Sequence, residues 1–564
     1  MALHFKNLHQ SFDENLKIMD HDVKLRRRLI HRLMNPFFIN TSIKGCHMNK
    51  INLTKTHYTV SAVSLLAMFI LGCGESNEPQ IPIADTPLAQ VAKSEARNVR
   101  AAIEGLNLVG DPSVGRRLPN INDPKAQLGM KLFFTKGLGG DFDSACVSCH
   151  HPVLGGGDDL SLPIGVDADS PNLLGPGRFH TTNGEHFDGG PTVPRNAPTT
   201  FNIAMWDKVL FHDGRLESLG GTSGRSGADG LGIRTPDSPF GEADSHAGAT
   251  LAIAQARFPV TSAEEMKNFN HFSGLNNNEV RSNLAQRIGD YGDPLGGLMT
   301  INRWLVEFQK GFNNPQGTAE ELITFSNITE AIGDYEHSQV FVDTPWKAFV
   351  EGDDDALSLG AKRGAQLFFN SVEKGGANCA SCHSGDFFTD EKFYVIAMPQ
   401  IGRGKGNGPF GNDDFGRYRE TGLDADKYAF RTPSLLNTTA TGPWGHAGAY
   451  TSLIDVITHH LDPQQAIDKY NYSQIDPSIQ AVDMLKNTQH ALDQLAANAA
   501  AGSKSLEAIS LTDLQVNNLA EFLLALTDPC VEDRECLSEW IPDASDPNPD
   551  ALRINGVDDN GNFL

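Results

Sequence analysis

The chain has 564 residues, 39% hydrophobic and 21% charged, the composition of a globular protein rather than a disordered or fibrous one. Its formal net charge is −24; the first 72 residues hold 10 Lys or Arg against 4 Asp or Glu, which leaves 36 against 66 in the rest. A body that acidic repels phosphate backbones, which argues against nucleic acid as a partner, and it steers a basic protein toward itself.

The first distinctive segment is "VSAVSLLAMFILGC", Val60 to Cys73, too short to span a bilayer and preceded by Lys50 and Lys55. A positive stretch ahead of an apolar one reads as an export signal. Its end, "ILGC", resembles a bacterial lipobox, with cleavage before Cys73 and a lipid on that cysteine; a plain signal peptide is the alternative. Counting from Met48 gives a signal of normal length. Residues 1–47 then read as an N-terminal extension, 48–72 as the signal and 73–95 as a polar tether. The expected location is the periplasm, with the protein held to a membrane by lipid only.

"DPKAQLGMKLFF", Asp123 to Phe134, predicts a helix with Asp123 as N-cap, Pro124 in the first turn and Leu128, Leu132 and Phe133 on one face. Residues 136–250 are rich in Gly, Pro, Asp and Ser and show little periodicity. So much loop makes sense where it wraps a large rigid cofactor. Thr318 to Phe341 predicts a strong helix, with Leu322, Phe325, Ile328 and Ile332 at helical spacing. Ala356 to Phe369 predicts another, and three more are expected near 452–461, 477–499 and 511–527. Strand signals are scarce, so the expected fold class is mainly α with long loops.

Four of the eight cysteines fall in two matching motifs. "CVSCHHP" contains Cys146, Cys149 and His150; "CASCHSG" contains Cys379, Cys382 and His383. Two thiols three positions apart on a helical turn add to the two vinyl groups of one haem, and the next residue, His, becomes the ligand under the iron. A zinc site made from both pairs would not require a His after each. "LGMKLFF" ends 12 residues before Cys146 and "RGAQLFF" ends 10 residues before Cys379, so two similar haem units are expected about 230 residues apart. Cys530 and Cys536, in "DPCVEDREC", read in an exported protein as a local disulfide rather than two free thiols.

Several further segments appear in a fixed order: "PRNAPTTFN", "LFHDGR", "QARFPVTSAEEM" and "FRTPSLLNTTATGPWGHAGAY". With the two haem motifs and their leading helices, they make the chain resemble the bacterial di-haem cytochrome c peroxidase family, which includes the MauG-like enzymes. The resemblance runs from about Leu128 to the helix near 461. It implies two cytochrome c-like domains, each with one covalently bound haem c: a peroxidatic N-terminal domain, 96–342, and an electron-transfer domain, 343–530, followed by a tail, 531–564. The haem on His150 would bind and cleave peroxide, and the one on His383 would pass electrons. Gln255 and Glu265 match the polar residues of the peroxide pocket, and Pro259 matches a third position there. A distal carboxylate can move a proton between the two peroxide oxygens. A calcium ion is implied between the haems, held by Asn196 and by the carbonyls of Arg431 and Pro433. Arg195, Arg215 and Arg431 are candidate partners for haem propionates.

Three positions depart from the family pattern. Where many members place an axial Met for the second haem, the count lands on Tyr450, as in MauG-like enzymes. A phenolate there lowers the potential and lets that haem hold an oxidising equivalent; Met398 is the fallback ligand. His212 stands where a Trp often lies between the haems, with Trp206 as a substitute relay. No His aligns as a resting ligand of the first haem, although His180 and His186 lie nearby in sequence, which leaves that haem open. The segment 216–250 is extra.

The expected activity is reduction of hydrogen peroxide with electrons from an external donor, a small cytochrome c or a cupredoxin. The first alternative is a MauG-like enzyme that uses peroxide to oxidise residues of a partner protein through a high-valent iron state. The second is a non-catalytic electron-transfer or sensor protein.

Overall fold

The computed structural model describes residues 86–184, 186–295 and 297–564; the extension, the signal segment with Cys73 and the tether up to residue 85 lie outside them. In chain order the helices that shape the site are α1 (Pro87–Ile103), α2 (Pro124–Phe134), α3 (Leu251–Gln255), α4 (Asn277–Gly289), α5 (Trp304–Gly311), α6 (Phe325–His337), α7 (Pro345–Glu351), α8 (Leu359–Phe369), α9 (Leu453–Leu461), α10 (Met484–Ala500) and α11 (Asp513–Leu524). Strands are two or three residues long. β1 (Val209–Leu210), β2 (Leu216–Ser218) and β3 (Ile233–Arg234) form one antiparallel sheet, and β4 (Phe393–Val395) pairs antiparallel with β5 (Ala429–Arg431), Tyr394 opposite Phe430. The architecture is mostly helical.

Local chemistry explains where the helices start and stop. Pro124 opens α2, whose missing N–H costs nothing in a first turn. Asp123 is its N-cap residue, as expected, but its carboxylate makes no capping bond to the helix and accepts from the Asn120 N–H instead. The single helix expected over 318–341 is two. A short turn, Ala319–Leu322, ends at Ile323, and Thr324 caps α6 by accepting from the Asn327 N–H at 3.2 Å. The Asn327 amide donates back to the Leu322 carbonyl at 2.9 Å, which satisfies an acceptor that the break would leave free. Ser358 and Thr512 cap α8 and α11 in the same way.

The two Leu-Phe-Phe helices are the organising elements, and each packs on a later helix through a glycine. A Cβ on Gly129 of α2 would lie 1.9 Å from the Ala331 carbonyl oxygen of α6 and 2.9 Å from the Tyr335 Cβ. A Cβ on Gly364 of α8 would lie 1.9 Å from the Asn518 carbonyl oxygen of α11 and 2.8 Å from the Phe522 Cβ. Phe133 then meets Tyr335 at 5.0 Å between ring centres, and Phe368 meets Phe522 at 5.1 Å. The repeat seen in the sequence is thus a repeat of helix crossings, each with its own apolar core.

The chain ends do not respect the domain limits drawn from the sequence. α1 begins at Pro87, so the tether expected up to residue 95 is shorter. Its Ala96 and Val99 are fully buried in the core around α8 and α11, and Arg100 pairs with Asp354 at 2.7 Å. The opposite end belongs to the first core. The Asp550 carboxylate accepts from the Thr135 hydroxyl at 2.6 Å and from the Trp304 indole N–H at 2.9 Å, and Ile554 is buried beside α2. Each half is therefore completed by the end of the described residues that lies farther from it in sequence. Residues from 86 onward fall in one compact unit, with no division near 340–350.

Candidate functional site

One cavity of about 1020 Å³ runs between the two cores, and both Cys-x-x-Cys-His motifs open into it. Typical single-ligand pockets span about 300–1,000 Å³. Each motif is a tight 3₁₀ turn, Cys146–Ser148 and Cys379–Ser381, which brings both thiols and the following His to the wall. The four thiols are free. His150 Nδ1 lies 3.2 Å from the Gly156 carbonyl; His383 Nδ1 lies 3.2 Å from Phe388 O and 3.1 Å from Pro433 O. A carbonyl only accepts, so Nδ1 carries the proton in both rings and Nε2 keeps its lone pair, the arrangement of a metal-binding histidine.

The wall near the first motif carries Gln255, Pro259 and Glu265. Gln255 ends α3, and Glu265 lies on a single π-helical turn, Ala263–Lys267, a rare element found disproportionately at working sites. Burial holds the Glu265 carboxyl above the ordinary range, against Arg215 and Lys405, which pull it down. Ion pairs fix this segment from behind. Arg257 meets Asp244 at 2.5 Å and Arg281 meets Asp237 at 2.5 Å. Both carboxylates come from the extra segment 216–250, which therefore braces the loop between Gln255 and Glu265.

Arg195 does not face the cavity with a free fork. It holds Asp414 with two bonds, 2.7 and 2.8 Å, and Asp213 at 2.6 Å, all three side chains buried. Arg215 bonds Asp213 at 3.0 Å and stacks on Phe211. Arg431, on β5, lies over the Trp206 ring at 3.5 Å, and its buried Nη1 has no partner. An unpartnered guanidinium nitrogen in a cavity wall fits an anionic ligand group such as a propionate. Free thiols in pairs, imidazoles with free Nε2 and this cation together fit haem, and Cys146, Cys149 and His150 would hold one while Cys379, Cys382 and His383 hold the other.

Several sequence-predicted residues fall elsewhere. Tyr450 is buried but does not line the cavity. Its hydroxyl donates to His459 Nδ1 at 2.8 Å, because His459 Nε2–H is already spent on the Ile396 carbonyl at 2.7 Å. Burial also holds the phenol protonated. The structure therefore does not bring Tyr450 to the second motif. Met398 reaches the wall but packs against Gly445 and the Leu162 cluster. His180 and His186 do not line the cavity; His186 stacks on Phe269 at 3.9 Å. His212 does line it, bonded to the Asn196 carbonyl, and burial together with Arg195 pushes it down to about 3.

For calcium the geometry is unhelpful. Asn196, Arg431 and Pro433 share the wall, but the Asn196 amide donates to Leu160 O and Ser161 O, and the Pro433 carbonyl accepts from His383. Among the described residues no three His, Cys, Asp or Glu side chains converge to hold a metal ion. Cys530 and Cys536 are joined in a disulfide. Two further wall residues bear on the chemistry: one, Glu336, escaped the sequence reading, and the other, His460, was a candidate there by residue type alone. Glu336, buried on α6 with one carboxylate oxygen unpartnered, is pushed up to about 8 by burial. His460 lies on α9.

Paired thiol-and-imidazole motifs opening on one cavity define a helical redox protein. Comparison with known proteins narrows the class. Residues 123–355 match the family described as di-haem cytochrome c peroxidase. The methylamine utilization protein MauG of Methylorubrum extorquens is 25% identical over 381 residues, covering 67% of this chain and 79% of that one. The cytochrome c551 peroxidase of Pseudomonas aeruginosa is 24% identical over 337 residues, covering 60% and 71%. A crystal structure of a MauG-like protein associated with microbial copper homeostasis aligns with TM-score 0.48 and 19% identity over 75% of this chain and 96% of that one. The match to the di-haem cytochrome c peroxidase family thus rests on residues 123–355, and the chain is an oxidoreductase of peroxidase type.

Proposed function

We propose that this chain is a peroxidase with two covalently bound haem c groups that reduces hydrogen peroxide to two molecules of water, taking two electrons from an external donor protein and two protons. The observation that carries this reading is the single cavity that joins both Cys-x-x-Cys-His motifs, with Gln255 and Glu265 on the wall by the first. The haem held by Cys146, Cys149 and His150 supplies, when bound, an iron that takes up peroxide. The chain's own residues do the proton work. Glu265 Oε accepts the proton of the near peroxide oxygen and returns it to the far one, which leaves as water. The Gln255 amide orients the peroxide by hydrogen bonding. Arg431, whose buried Nη1 has no protein partner, would pair with a haem carboxylate.

This reading is preferred over the MauG-like one because Tyr450, the residue that favoured the alternative, is committed to His459 off the cavity. Export of the chain, a lipid on Cys73 and a periplasmic location belong to the same proposal. The disulfide between Cys530 and Cys536 supports an oxidising compartment. No described helix is long and apolar enough to cross a membrane. The net charge of −24 supports a basic donor, whose reaction should slow as salt rises.

The test is the mass of the mature chain and its turnover. Two haems per chain are expected, one fewer after Cys379→Ala with Cys382→Ala, and peroxide consumption coupled to oxidation of a reduced small cytochrome c. Two haems that stay unreactive to peroxide in every oxidation state would sink the proposal.

A further inference from the structure

α9 presents Leu453, Val456, Ile457, His460 and Leu461 to the cavity, a stripe at spacings of three and four. His460 is the polar member of that stripe, and it faces His383, the two ring centres 6.3 Å apart. Its Nδ1 lies 2.8 Å from the Val456 carbonyl one turn back, so Nδ1 carries the proton and Nε2 keeps its lone pair. His383 has the same arrangement through Pro433 and Phe388. Two metal–imidazole bonds of about 2 Å laid end to end, with half of each ring added, span about 6 Å. The observed separation matches.

Resting on the proposal that His383 carries a haem, we infer that His460 is that haem's second axial ligand, so that this iron is held by two imidazoles and not by Tyr450 or Met398. Adjacent His459 cannot take the role. It points off the cavity stripe and has both nitrogens engaged, with Tyr450 and with the Ile396 carbonyl. The His459–Ile396 bond instead ties the C-terminal turn of α9 to the segment before Met398, with Tyr450 on the other nitrogen of the same ring. Two nitrogen ligands give a lower potential than a nitrogen and a thioether.

The experiment uses the oxidised holoprotein and its variants His460→Ala, His460→Met and Tyr450→Phe. Haem content is counted in each, and ligation is read by low-temperature electron paramagnetic resonance and by redox titration. The wild type is expected to show one low-spin ferric haem with two nitrogen ligands. His460→Ala should convert that haem to high spin. His460→Met, which keeps a ligand of similar size, should give a nitrogen–thioether spectrum and raise the midpoint potential. Tyr450→Phe should keep the low-spin spectrum of the wild type. Survival of that low-spin signal in both His460 variants, or its loss in Tyr450→Phe, overturns the inference while the haem count still supports two haems. A wild-type count below two overturns the di-haem proposal, and this inference with it.

Discussion

Two residues set the chemistry and the electrostatics of the cavity. If Glu265 is the proton carrier, Glu265→Gln should slow the reaction of the first haem with peroxide by about 10²–10⁴-fold while leaving haem content unchanged, measured by stopped flow. Since burial raises the Glu265 carboxyl, the wild-type rate should fall as pH drops through a value above the ordinary carboxylate range, and the variant should lack that step. Arg195 governs stability instead. Burial alone would raise Asp213 and Asp414, but the Arg195 guanidinium outweighs it and holds both well below the ordinary range. A carboxyl depressed in the folded state stabilises the fold above its unfolded value, about 4, and that contribution is lost as pH falls toward the folded value. Arg195→Met leaves buried carboxylates underpaired, so it should cost about 3–5 kcal/mol at neutral pH and flatten the acid limb of the denaturation curve. At this scale the sequence disclosed what has a covalent signature. The cysteines and their histidines could be read from spacing alone. The roles of Tyr450 and His460 could not, because they depend on which face of a nine-residue helix turns inward, and two adjacent histidines give spacing no means to choose. The cavity-facing stripe Leu453, Val456, Ile457, His460 was the signal available.

At the scale of elements, the repeated "LGMKLFF" and "RGAQLFF" segments matter through their second residue as much as through their aromatics. Gly129 and Gly364 let α2 and α8 approach a carbonyl of the crossing helix so closely that a methyl group has no room. On an exposed helix, Gly→Ala gains about 1 kcal/mol of helix propensity. Here overpacking costs about 1–3 kcal/mol or more, and it wins, since the obstacle is backbone rather than a movable side chain. Gly129→Ala should destabilise the first core and Gly364→Ala the second, each seen as a lower denaturation midpoint. If either variant is more stable than the wild type, the crossing is looser than described. The helices were legible because apolar periodicity and capping residues mark them. The break at Ile323 was not, because Thr324 and Asn327 act locally while the apolar period continues across it. The short strands and the bracing by segment 216–250 were not legible either, since Asp237 and Asp244 find Arg281 and Arg257 only through the tertiary fold.

The described residues are tied together by the segments at their two ends. α1 belongs to the core that holds Cys379, and the segment around Asp550 belongs to the core that holds Cys146. Linear division of the sequence at the connection near 340–350 missed this, because nothing in composition says where a terminus docks. The exchange has a consequence for cooperativity. When each half is completed by the far end of the chain, neither half can unfold without withdrawing a piece of the other's surroundings. The holoprotein should therefore melt in a single calorimetric transition. Asp550→Ala strips partners from the Thr135 hydroxyl and the buried Trp304 N–H, at about 1–3 kcal/mol for each group left unsatisfied. That loss falls on the first core alone, so the single transition should broaden or split, with the core around Cys146 melting earlier. Ending the chain after Trp540 should do so more strongly, because Ile554 leaves the same core. Starting it after Ile103 should have the mirror effect: Ala96 and Val99 go, and the core around Cys379 melts first. If both truncations lowered one unsplit transition equally, the two cores would be coupled through the cavity between them rather than through the exchanged ends.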